Sequence, residues 1–129
     1  MADLVTFFRA RLDEEEDVAK RAAFGWGPDW TLREDEADDS AYLVAEGSPR
    51  AAWSEDSDVI EHAATWDPSR VLAEVAAKRA ILDADPASGA RTFLDDTTRA
   101  ALATWERAVL ALAQPYADHP DFADAWRTT

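Results

Sequence analysis

The chain has 129 residues, with 27 acidic side chains against 13 basic ones and a formal net charge of −14. That length and a hydrophobic content of 47% fit one domain, residues 1–129, with a core of its own. The charge argues against nucleic acid and anionic membrane surfaces, which are bound through clusters of Lys and Arg. The absence of cysteine rules out a disulfide framework, a thiolate metal site and a cysteine nucleophile.

The N-terminus carries Asp3 and Arg9 and lacks the apolar core of a secretory signal. No run approaches the roughly 18 apolar residues needed to cross a bilayer. The expectation is a soluble cytoplasmic protein. Its charge is uneven: residues 29–61 hold 11 acids and 2 bases, a net −9 on about a quarter of the chain.

Residues 3–23 read as an amphipathic helix, with Asp3 as N-cap. Leu4, Phe8, Leu12, Glu15, Val18 and Ala22 fall on one face, which Phe7 and Ala19 widen. Gly25, Gly27 and Pro28 end it. The period then shortens. Trp30 and Leu32, the run Ala41 to Ala45, and Arg50 to Trp53 predict a two- or three-stranded antiparallel ribbon. Such a ribbon is not stable alone, so Trp30, Leu32, Leu43 and Trp53 are expected to pack it on helices.

A short helix is expected over 56–65. A second runs from Pro68 to about Ala84, with Asp67 as N-cap and Pro68 at the first helical position, where no N–H is needed. Val71, Leu72, Val75 and Leu82 give it an apolar stripe. After a linker over 85–89, a long helix starts between Thr92 and Asp96 and runs to about Gln114. Its inner face is Leu94, Leu102, Trp105, Val109 and Leu112, and Pro115 stops it. Tyr116, Phe122 and Trp126 surround a turn at His119-Pro120 and read as a last short helix. The fold class is therefore α+β: a mainly helical single domain with a small antiparallel ribbon.

Residues 62–82 read HAATWDPSRVLAEVAAKRAIL, and residues 112–122 read LAQPYADHPDF. The first resembles the signature of a family of small proteins from actinobacteria and their phages, domain of unknown function 6221. Its pattern is close to His-Ile-Ala-Arg-His-Asp-Pro-Ala-Arg-Val-Leu followed by a helix with Glu and Ala-Lys-Arg. The second segment resembles that family's close, and Leu4 to Leu12 its start. The resemblance covers essentially the whole chain and implies no activity. Thr65 stands where the pattern has Arg, and Trp66 where it has a second His, which weakens a metal site built on paired histidines there.

Several constellations could carry chemistry. His62 and His119, with Asp67, Glu61 or Asp118, form a conceivable His₂-carboxylate metal set, although His62 and Asp67 lie five apart across a helix break. The bland alternative has His62 closing a helix and His119 starting a turn. Arg70, Glu74 and Lys78, at steps of four, match an ion-paired helix face as well as an anion-holding one. No serine elbow, phosphate loop or dinucleotide fingerprint is present. Asp95-Asp96 suits a helix N-terminus, and Asp38-Asp39 a solvated loop. Trp26, Trp30, Trp53 and Trp66 bracket the acidic ribbon. They serve either as buried area for a small sheet or as an aromatic and acidic recognition surface.

No catalytic residue and no cofactor is assigned. The functional expectation is a non-catalytic interaction module. Glu34, Asp35, Glu36, Asp38, Asp39 and Trp53 would meet a basic protein, with the stretch from Glu55 to Glu61 adding to the steering. One form is a charge mimic that masks a nucleic-acid-binding protein. The alternative is a small metal-dependent enzyme using His62, Asp67 and His119. Homo-oligomerisation through an exposed helix face is compatible with the first reading.

Overall fold

A computed structural model describes residues 1–88 and 93–128. Among the described residues the chain forms four α-helices and one three-stranded antiparallel sheet, the mainly helical α+β architecture expected. The elements run α1 (Ala2–Trp26), β1 (Trp30–Asp35), β2 (Ser40–Ala45), β3 (Ser48–Ser54), α2 (Ser57–Thr65), α3 (Pro68–Asp83) and α4 (Asp96–Ala113). Two 3₁₀ turns follow, Gln114–Tyr116 and Asp124–Trp126. The chain divides into two compact units, Glu14–Val75 and the pair of segments Met1–Asp13 and Ala76–Thr129.

The first of these units holds the sheet, in the order β1-β2-β3. In β1 and β2, Leu32 stands opposite Leu43 and Trp30 opposite Ala45. Side chains alternate faces along a strand, so these four share one side of the sheet. Ala41 and Leu43 make a core there with Ile60 of α2, and Trp30, Leu32, Ala51, Ala63 and Ala64 pack against it. Ile60, Ala63 and Ala64 are spaced as one helix face, which is why a helix of nine residues covers the sheet. Asp56 caps α2, its carboxylate accepting the Asp58 N–H at 3.0 Å.

Trp53 departs from expectation. It pairs with Tyr42 across β2 and β3, so it lies on the face opposite Leu43, and it is 65% exposed. Trp26 and Trp66 are also exposed. Of the four tryptophans around the ribbon, only Trp30 packs into the sheet core.

Asp67 ties the sheet to α3. One carboxylate oxygen accepts the Arg70 N–H at 2.9 Å, the N-cap bond, while the other accepts the Trp30 N–H at 3.0 Å, at the first residue of β1. Pro68 opens α3 as expected. At the same end of the sheet the Gly47 N–H donates to the Trp26 carbonyl at 3.0 Å. A Cβ on Gly47 would lie 2.3 Å from the Gly25 carbonyl oxygen, so this turn accepts no side chain.

In the other unit, Phe7 is the hub of an aromatic cluster. Its ring lies 5.4 Å from His119 and 5.5 Å from both Phe122 and Trp126. Gln114 fixes the C-terminal turn, donating to the Trp126 carbonyl at 2.8 Å and accepting the Thr128 N–H at 3.2 Å. The Trp105 indole donates to the Ile81 carbonyl at 2.6 Å. Asp95 caps α4 through the Thr98 N–H at 2.6 Å, with Asp96 in the first turn, as expected for this acid pair. Trp105, Val109 and Ala113 are buried on α4, while Leu94, Leu102 and Leu112 are half-buried.

Several details refine the expectation. Helix α1 starts at Ala2, so Asp3 lies inside its first turn and acts there on the helix dipole instead of as a cap. Val18 is exposed and Ala19 buried, because Ala19, seven residues after Leu12, returns to its face while Val18 falls about a third of a turn away. The short helix expected after Pro115 takes the form of two 3₁₀ turns, Gln114–Tyr116 and Asp124–Trp126. Gly89 of the linker and Thr92 of the expected α4 start lie outside the described residues.

Candidate interaction surface

The carboxylates singled out in the sequence converge at one end of the sheet. Asp35 and Ser40 are paired there, and residues 36–39 make the turn between β1 and β2. The turn is set by its own acids. Asp35 accepts the Ala37 N–H at 3.0 Å, and Asp39 adopts a left-handed φ of 50°, a conformation Asp tolerates better than most residues. Glu34, Asp35, Glu36 and Asp39 line a shallow groove of about 170 Å³ with Ser40, Ala41, Glu55 and Ser57. Ser57 is the first residue of α2. The partial positive charge of that helix end offsets some of the repulsion among the acids.

A second groove, of about 490 Å³, is lined by Asp38, Ser40, Tyr42, Arg50, Trp53 and Glu55. The two grooves share Ser40 and Glu55. All six residues assigned to partner contact therefore line one groove or the other. The second groove is built on strand parity: Tyr42 and Trp53 stand opposite each other on the face turned away from the Leu43 core. Arg50 lies over the Tyr42 ring, its guanidinium carbon 4.2 Å from the centroid, and reaches the Asp35 carboxylate at 3.4 Å. Asp38 accepts a hydrogen bond from the Ser40 hydroxyl at 2.6 Å and one from the Tyr42 hydroxyl at 2.5 Å. Those bonds, Ser40's foremost, hold its carboxyl below the ordinary aspartate value.

Sequence reasoning passed over Tyr42, Ser40 and Arg50. The period-two pattern carried a usable signal: if Leu43 faces α2, Tyr42 takes the other side of the sheet.

The remaining singled-out residues do not gather. His62 is exposed near the end of α2, and its carbonyl accepts the Trp66 N–H at 3.1 Å. Both oxygens of Asp67 are engaged by backbone N–H groups. Both ring nitrogens of His119 have close neighbours: Nδ1 accepts the Asp121 N–H at 3.1 Å, and Nε2 lies against the Arg11 guanidinium. Among the described residues no group of three or more His, Asp or Glu side chains could hold a metal ion. Arg70 stacks on Trp66 at 4.2 Å and reaches Glu74 at 3.3 Å, a local ion-paired face. Lys78 lies 5.9 Å from the centre of the Tyr116 ring.

The start, the His62 to Leu82 segment and the close belong to one pattern, and the comparison with known families agrees over residues 1–128. The chain belongs to DUF6221, a family of unknown function. Membership in DUF6221 spans both units and assigns no activity to any residue. No curated protein and no solved structure matches the chain. Among the described residues no helix is long and apolar enough to cross a membrane.

Proposed function

We propose that the chain is a non-catalytic interaction module whose acidic sheet end meets a basic surface on another protein. The observation that supports this is the convergence of Glu34, Asp35, Glu36, Asp38, Asp39 and Glu55 on two adjoining grooves, with a tryptophan exposed in one of them. Like charges gathered on a short sheet work against folding, and they are useful when a partner neutralises them. Complementary charge raises the association rate and selects the partner, while a desolvated aromatic supplies holding energy. A nucleic-acid-binding protein carries such a basic surface, and masking it is the narrow form of the proposal.

The test uses a synthetic Lys/Arg-rich peptide as probe and fluorescence anisotropy as readout. The expected result is binding that weakens steeply as salt is raised. It should be lost when Glu34, Asp35, Glu36, Asp38 and Asp39 are neutralised together to Gln and Asn. Equal binding by the neutralised variant overturns the proposal.

A further inference from the structure

Within the unit Glu14–Val75 the same small arrangement occurs twice. Arg50 stacks on Tyr42 at 4.2 Å and is closed off by the Asp35 carboxylate at 3.4 Å. Arg70 stacks on Trp66 at 4.2 Å and is closed off by Glu74 at 3.3 Å. In each case a guanidinium lies on an aromatic face with a carboxylate on its rim. Trp53 offers the same parts with the cation missing. Its indole is exposed, has no stacked partner among the described residues, and lines a groove with Asp38 and Glu55. Of these, Asp38 is positioned by the Ser40 and Tyr42 hydroxyls. The cation nearest in the groove, Arg50, is already committed to Tyr42 and Asp35.

We infer that Trp53 is the anchor for an arginine side chain of the basic partner, whose guanidinium stacks on the indole while Asp38 and Glu55 accept its N–H groups. This rests on the acidic-face reading and adds the identity of the group that enters. Arginine is selected over lysine for a physical reason. A planar, weakly hydrated guanidinium lies flat on a ring and still donates in its plane, whereas an ammonium is a compact, strongly hydrated point charge. The tryptophan is the strongest of the aromatic platforms for such a cation. Charge alone would attract either residue, so the preference is the signature of Trp53.

The test titrates the whole chain with two peptides of equal length and charge, one of arginines and one of lysines, by calorimetry. NMR follows the Trp53 indole N–H. The arginine peptide is expected to bind several-fold more tightly and to shift the Trp53 indole resonance. Trp53→Ala is expected to weaken arginine-peptide binding about two- to fivefold, the range for an exposed cation–π contact, and to abolish the preference. Trp53→Phe is expected to keep part of it. Circular dichroism checks that both variants fold. Equal binding of the two peptides to the native chain, or a preference that survives Trp53→Ala, overturns this inference and leaves the acidic-face reading standing. Binding of neither peptide overturns both.

Discussion

Replacing Asp67 by alanine removes two bonds at once, and the size of the effect follows from their geometry. The first is the N-cap bond to the Arg70 N–H at 2.9 Å, and loss of such a cap costs about 1 kcal/mol. The second is the bond to the Trp30 N–H at 3.0 Å. Asp67 is half-buried, so the stranded N–H recovers only part of its hydration, at a cost of about 1–2 kcal/mol. Together Asp67→Ala should destabilise the fold by about 2–3 kcal/mol, or roughly 10 °C in melting temperature for a chain of this size. Urea unfolding followed by circular dichroism measures it. Asp67→Asn is the informative control. Its single carbonyl oxygen can still cap α3, but its NH₂ faces the Trp30 donor, so it should lose only the second bond. A cost below about 0.5 kcal/mol for Asp67→Ala, the range of inert surface changes, would refute the two-bond account. So would an Asn variant as damaged as the Ala variant.

Three further variants test other parts of the unit Glu14–Val75. Tyr42→Phe removes one of the two hydroxyls that hold Asp38 ionised, so the Asp38 carboxyl should titrate at a higher pH, closer to the ordinary aspartate value, in an NMR titration. Because a depressed folded-state value stabilises the fold above the ordinary aspartate value, and that contribution is lost as pH falls through the folded value, the variant should also show a weaker loss of stability with acid. Gly47→Ala places a methyl against the Gly25 carbonyl and should cost about 1–3 kcal/mol by thermal melt. Gly25→Ala, in open space at the end of α1, should be neutral or stabilising by up to about 1 kcal/mol.

What the sequence disclosed depended on how locally each feature is encoded. The Asp67-Pro68 start of α3 and the Asp95-Asp96 start of α4 were legible because a cap is a short-range contact written in adjacent residues. The strands of the ribbon were legible from β-formers between acidic and Gly-Pro separators. The facing of Trp53 was not, since tryptophan suits a core and a surface alike. Only the register, Tyr42 opposite Trp53, decides which side it takes. The acidic tip of the ribbon was legible because charge density survives without geometry. The stacked Arg50 and the hydroxyls of Ser40 and Tyr42 complete its groove, and these went unread because their roles exist only once β2 and β3 are paired. The second role of Asp67, as acceptor for the Trp30 N–H, joins residues 37 positions apart and left no trace in the local pattern.

Three hydrogen bonds gather at the Gly47 end of the sheet. Trp26 holds Gly47, Asp67 holds Trp30, and the Trp30 indole donates to the Gly27 carbonyl at 3.0 Å. All three clamps grip one end of the strands, and the acidic turn at residues 36–39 forms the other. Mutual repulsion of the carboxylates therefore acts at the end remote from these three bonds, where the Asp38 bonds to Ser40 and Tyr42 and the Arg50–Asp35 pair hold the turn together.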